Sequence, residues 1–336
     1  MAFTLLSDNG FYSNQLAVGY KELYALALNK LSNKRFTASI AMDYDEQIFQ
    51  AQTDIFARAI VYEHPELFFV RQQVNFRYNN GKMVVVFESI YEENMIDEYD
   101  EYLNKKIDEI VEIMKPYANE PMTLLYKLNE YIASAYEGED AYTRDNGNAL
   151  GVLLNSKARC EGFCKVAKLV LNKFNIDTII CLGDVSPDND PFPHAWLAVS
   201  YNGKYYGFDI AYNVNRREPK APSTVYTFMD KKSIETNRRP DFSYPITDDT
   251  SLLFWILHNG ETYKIAQLMN ADLIEQEHCF LSVHHLIGFG PLSEEQITYQ
   301  VPKWIVANLS PYTRGNRYRF NYIDDLQVLI VYYFND

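Results

Sequence analysis

Apolar positions in the first third of the chain recur at helical spacing. Leu16, Tyr20, Leu23, Ala27 and Leu31 fall three or four residues apart, so residues 14–31 are predicted as an amphipathic helix. Residues 46–63 are predicted as a second. The period then changes. In LFFVRQQVNFRYNNGKMVVVFESIY, two strand-like runs flank Asn79-Asn80-Gly81, the chemistry of a hairpin turn. From 88 to 114, ESIYEENMIDEYDEYLNKKIDEIVEIM reads as a long helix, with Ile107, Ile110, Val111 and Met114 as its buried stripe and its carboxylates on a solvated face. Residues 1–115 are therefore expected to form an N-terminal α/β unit.

Past Pro116, the spacing of Leu124, Leu125, Leu128 and Ile132 predicts a helix over 120–136. A polar stretch, EGEDAYTRDNGNALG, leads into ARCEGFCKVAKLVL, which opens another helix with Phe163, Val166, Ala167, Val170, Leu171 and Phe174 on one face. Three strand-like runs follow: DTIICLGDV, PHAWLAVSY and KYYGFDIAY. The middle unit, 116–247, closes in a polar, proline-bearing passage, NRRPDFSYPITDDTS. Residues 248–336 offer more strand-like runs and finish with LQVLIVYYF, apolar throughout as a buried strand would be. The expected fold class is α+β.

Composition narrows the function. With 336 residues the chain has material for two or three domains, and 47% hydrophobic residues exclude wholesale disorder. The net charge of −14 repels phosphate backbones, so nucleic acid is excluded as a partner. The 27 tyrosines and 20 phenylalanines fit broad, half-buried sheet faces better than a carbohydrate-binding surface. Four cysteines make no disulfide framework in a chain this long. The start, MAFTLLSDNGFYSNQ, has no basic segment followed by an apolar core, and no run approaches the ~18 apolar residues of a membrane span. A cytoplasmic location without a membrane partner is the expectation.

Candidate chemistry begins at Cys160. The first N–H groups of a helix lack intrahelical partners and present partial positive charge, a setting that favours a thiolate. Gly162, two residues on, permits a close approach to the helix by another chain or a substrate. The second feature is PHAWLAVSYNGKYYGFDIAY. Asn202-Gly203 is a two-residue turn signal, and pairing Tyr201 with Lys204 fixes the register. Ala195, Leu197, Val199 and Tyr201 then share an apolar face with Tyr206, Phe208 and Ile210, while His194 and Asp209 fall on the other. There Asp209 faces Trp196, which makes His194 and Asp209 diagonal neighbours at ~7–8 Å. A three-residue turn would separate them. A carboxylate bonded to one imidazole nitrogen fixes the tautomer, and such a histidine beside a helix-terminal thiol is an activated nucleophile.

In ARCEGF, HAW and FDIAY the chain resembles the transglutaminase-like superfamily, whose core belongs to the papain-like architecture. The resemblance covers roughly 142–215. It implies a catalytic helix packed on an antiparallel sheet, with Cys160 as nucleophile, His194 as general base and acid, and Asp209 as the orienting carboxylate. Leu197 and Ala211-Tyr212 depart from residues common in relatives, and these departures touch no catalytic group. The backbone N–H of Cys160 is the natural oxyanion donor. Tyr142, Asn148 and Trp196 are further candidates for the oxyanion or substrate side.

The implied function is cysteine-dependent acyl transfer at an amide bond of a protein or peptide, as peptidase or amidohydrolase, with no cofactor. Glutamine cross-linking is one alternative, and a non-catalytic binding scaffold is another. No metal site is expected. His278, Cys279, His284 and His285 match no common zinc spacing. The acidic, proline-rich SPDNDPFP before His194 is a candidate cleft wall.

Overall fold

In the computed structural model the described residues are 3–5, 10–139, 141–185, 190–215 and 226–248, with shorter stretches at 278–284, 295, 298–299, 302–303, 306–307, 317–323 and 328–334. His285 and the first four residues of SPDNDPFP lie outside them. The chain divides into two compact units, each made from two stretches of sequence: Met1–Ile113 with Glu139–Ile180, and Met114–Gly138 with Cys181–Asp336. Helices and antiparallel sheets are mixed throughout, as the α+β pattern predicts.

In the first unit, helix α1 (Val18–Ser32) buries Tyr20, Leu23, Ala27 and Leu31, the stripe its spacing predicts. Strand β1 (Thr37–Ala41) and helix α2 (Glu46–Arg58) follow, with Asp45 accepting the N–H of Gln47 as the cap of α2. The helix expected over 46–63 changes winding at its end. Ala59–Glu63 form a π-helical turn, and all five are buried. The predicted hairpin is β2 (Asn75–Asn79) and β3 (Lys82–Val86), with Asn79 opposite Lys82. Asn80 and Gly81 both take positive φ, 49° and 71°, which makes a two-residue turn. Strand β3 is the centre of a three-stranded sheet, its Val85 paired with Ala38 on one side and Phe76 on the other. Helix α3 (Ile96–Met114) buries Leu103, Ile107, Ile110 and Met114, with Val111 half-buried.

Helix α4 (Pro121–Ala135) belongs to the second unit and buries Leu124, Leu125, Leu128 and Ile132. Two-residue strands β4 (Glu137–Gly138) and β5 (Lys157–Ala158) bracket helix α5 (Ala149–Asn155). Helix α6 (Cys160–Lys173) comes next. Strand β6 (Thr178–Val185) then carries the chain from the first unit into the second.

The sheet that positions the site has the order β8-β7-β6-β9, with β7 (Phe192–Tyr201), β8 (Lys204–Phe208) and β9 (Arg238–Pro240). Tyr201 faces Lys204 and Leu197 faces Phe208, the register set by the Asn202-Gly203 turn, where φ is 50° and 76°. One expectation needs correcting. The run KYYGFDIAY does not stay extended, because the strand stops at Phe208 and α7 (Ile210–Asn215) begins. Asp209 is a strong helix cap, and its Oδ1 accepts the N–H of Tyr212 at 3.1 Å. Neither face of β7 is solvated. His194 through Val199 are all buried, because β7 is an interior strand covered on both sides.

Helix α8 (Lys231–Asn237) runs directly into β9, so the polar passage after Asn237 begins as a sheet strand. Near the end of the chain, β10 (His278–His284), β11 (Arg317–Ile323) and β12 (Val328–Phe334) form a separate antiparallel sheet centred on β12.

Candidate functional site

Cys160 is the first residue of α6 and is partly exposed, whereas Cys164 and Cys181 are buried. Arg159 caps the helix in an extended conformation, and its carbonyl accepts the N–H groups of Gly162 and Phe163. The N–H groups of Cys160 and Glu161 make no hydrogen bond among the described residues, which leaves two donors at the thiol's end of the helix.

The helix is buried from Gly162 to Leu171, so Lys165 and Lys168 are internal. Lys168 donates to the carbonyl of Thr178 at 2.6 Å and Lys165 to that of Gly147 at 3.0 Å. The Lys165 ammonium lies 5.3 Å from the centre of the Tyr62 ring. Burial lowers the pKa of Lys165, an effect that Glu161, Cys164 and Cys160 oppose. Glu161 accepts from Tyr62 at 3.1 Å and Gln72 at 2.9 Å. Burial and then Glu161 raise the Tyr62 phenol well above its usual range.

The close approach that Gly162 permits is made by the chain itself. A Cβ there would lie 2.6 Å from the carbonyl oxygen of Asn146 and 2.7 Å from Val152 Cγ2. Gly162→Ala is therefore expected to destabilise the first unit by about 1–3 kcal/mol through overpacking. A urea midpoint unchanged from wild type would show that the 141–148 loop yields freely.

In the second unit His194 is 6% exposed, and its Nε2 lies 2.8 Å from Asp209 Oδ2. Asp209 is fully buried and held on every polar atom. Its N–H donates to Tyr226, its carbonyl accepts from Asn213, and Oδ1 caps α7. Asn213 in turn donates to Asn129 of α4 and accepts the N–H of Tyr226. Arg238 Nη2 also donates to Asp209 Oδ2, at 2.5 Å. Burial would raise the Asp209 carboxyl, but His194 and Arg238 together hold it well below the usual carboxylate range. An ionised carboxylate only accepts, so Nε2 carries a proton and the lone pair of the neutral ring sits on Nδ1.

Trp196, two residues along β7 from His194, is fully buried, with its ring 6.3 Å from the imidazole and 20° from parallel. Its Nε1 has no partner among the described residues. Asn148 is occupied as the cap of α5, its side chain accepting the N–H of Gly151 at 2.8 Å. Tyr142 is 71% exposed, with the Arg159 guanidinium 5.2 Å from its ring centre.

Phe192, half-exposed, and Tyr212 meet the His194 ring edge-on, at 6.3 and 5.0 Å. Phe192 belongs to SPDNDPFP, the candidate cleft wall, whereas the sequence reading set neither Tyr212 nor Arg238 beside His194. The only signal for Arg238 was a basic pair before a proline. No group of histidine, cysteine and carboxylate side chains among the described residues could hold a metal ion, and no described helix is long and apolar enough to cross a membrane.

No family model matches the chain, and no curated protein does. Among solved structures, it is similar to a proposed cysteine protease from Cytophaga hutchinsonii, at 12% identity and a TM-score of 0.28 over 41% of this chain and 61% of that one. It is also similar to a transglutaminase, at 13% identity and a TM-score of 0.29 over 60% and 54% of the two chains. Both likenesses are partial, this chain covers less than two thirds of either protein, and neither assigns a role to a residue here.

Proposed function

We propose that this protein performs thiol-dependent acyl transfer at an amide bond of a protein or peptide, with water as the acceptor. The observation that carries the reading is the buried His194–Asp209 bond, in which a fully enclosed carboxylate fixes the imidazole tautomer. In the papain-like arrangement expected from the sequence, α6 presents Cys160 to that imidazole.

His194 then takes the thiol proton at Nδ1 as the sulfur adds to the carbonyl carbon. The Cys160 N–H is the first donor to the developing oxyanion. The imidazolium returns its proton to the leaving amine as the C–N bond breaks, leaving a thioester. Water, deprotonated by His194, opens the thioester and frees the acid and the thiol. Every group used belongs to the chain, and the proton count closes over the cycle.

The test is the rate at which iodoacetamide modifies Cys160 near pH 7, read on the Cys160 peptide by mass spectrometry, in wild type and in His194→Ala. Loss of the base is expected to slow modification on the order of ten-fold. Equal rates in the two proteins would refute the activated thiol and leave a binding scaffold in its place.

A further inference from the structure

Arg238 is the first residue of β9 and is almost completely buried. It reaches the same oxygen of Asp209 that His194 reaches, so the guanidinium and imidazole nitrogens, 2.5 and 2.8 Å from it, lie no more than 5.3 Å apart. Nη1 donates to Asn237 at 2.6 Å, and Nε has no partner among the described residues. Three aromatic rings enclose the cation, with Cζ 4.8 Å from the centre of Tyr212, 5.1 Å from Tyr226 and 6.0 Å from Trp196. A buried guanidinium is costly, and Asp209 is the anion recorded beside it.

We infer that Arg238 is a positioning residue of the site: it keeps Asp209 ionised and aimed at His194, and its charge lowers the proton affinity that the carboxylate alone would give the imidazole. The sign follows from the shared oxygen. An unshared aspartate stabilises an imidazolium strongly, whereas an aspartate already neutralised by a guanidinium does so much less. His194 is thereby kept in the neutral form that accepts the thiol proton. Among the described residues, the titratable and charged groups seen against His194 or Asp209 in this unit include Asp209 between β8 and α7, Arg238 on β9, and the Tyr212 phenol on α7, with Tyr226 behind Arg238. Trp196 and Phe192 contribute only rings. The inference rests on the acyl-transfer reading for its purpose, but not for its measurement.

The experiment is NMR titration of the His194 ring in the full chain carrying Cys160→Ala, which removes any coupling to the thiol, combined with Arg238→Gln or Arg238→Lys. In Arg238→Gln the imidazole is expected to titrate about 1–2 pH units higher, because a like charge within reach has gone. Arg238→Lys keeps the charge and is expected to stay within about half a unit of its parent. If the glutamine variant does not fold, Arg238→Met keeps the side-chain length under the three rings, and the same upward shift is required of it.

A His194 that titrates unchanged in the neutral variant would overturn the inference. A lysine variant shifted as far as the neutral one would also overturn it, by assigning the effect to packing. Failure of the acyl-transfer reading looks different: Cys160 modification would then ignore His194→Ala, whatever the ring titration does.

Discussion

Asp209→Asn is expected to cost about 3–5 kcal/mol, because it leaves Arg238 buried without its anion. An amide of nearly the same size keeps the shape of the site, but its single oxygen can accept either from Tyr212 or from His194 and Arg238, so a mismatched donor adds to the loss of charge. A thermal melt should register it as a fall on the order of 10 °C. The pH dependence separates this cause from loose packing. A carboxyl whose folded pKa is depressed contributes stability that is fully present above its unfolded value near 3.9, and loses it as the pH falls towards the folded value. The gap between wild type and variant should therefore be complete above pH ~4 and narrow below it, as wild type alone loses the Asp209 contribution. A gap that stays constant down to pH ~2 would rule out the ion pair as its source.

Trp196→Ala carries an effect of similar size. Among the described residues the indole is the largest fully buried side chain of the second unit, packed between the His194 ring, the Tyr244 ring at 6.3 Å and the Arg238 guanidinium. Truncation to alanine should cost about 3–5 kcal/mol in lost burial and cavity. Trp196→Phe should cost less than half of that, since Nε1 has no hydrogen bond among the described residues to lose and a second ring fills most of the space. Denaturant midpoints for the pair would decide. If phenylalanine proved as damaging as alanine, the indole N–H would have to be making a bond that this packing does not contain.

Local chemistry made part of this legible. Asn202-Gly203 and Asn80-Gly81 fix two hairpins, because positive φ at both turn positions allows little else, and the register of β7 against β8 follows from the first. That register put His194 and Asp209 on one face within side-chain reach, and in the structure their side chains meet at 2.8 Å. Asp209 leaves the strand to cap α7, a choice that the apolar run IAY concealed. The start of α6 at Cys160 was also readable.

What the sequence hid was burial among polar residues. Lys165 and Lys168 occupy positions that any amphipathic pattern assigns to solvent, yet each finds a backbone carbonyl inside the unit. Arg238 sits in a passage of basic, acidic and proline residues that reads as a connection. Its burial depends on Tyr212, Tyr226 and Trp196, which come from three separate places in the chain. Periodicity within a window cannot report a partner that arrives from outside it.

The interleaving of the two units sets an order of events during synthesis. Helix α4 is complete by Ala135, but the α7 residue that its Asn129 holds lies 84 positions further along the chain. At roughly 5–20 residues per second, the ribosome delivers Asn213 about 4–17 s after Asn129. During that interval the Leu124, Leu125, Leu128 and Ile132 stripe has been made and its unit has not. The stretch Glu139–Ile180 emerges meanwhile and joins Met1–Ile113. The first unit can thus be finished while α4 still waits, its apolar stripe open to a chaperone's cover until the rest of its unit arrives.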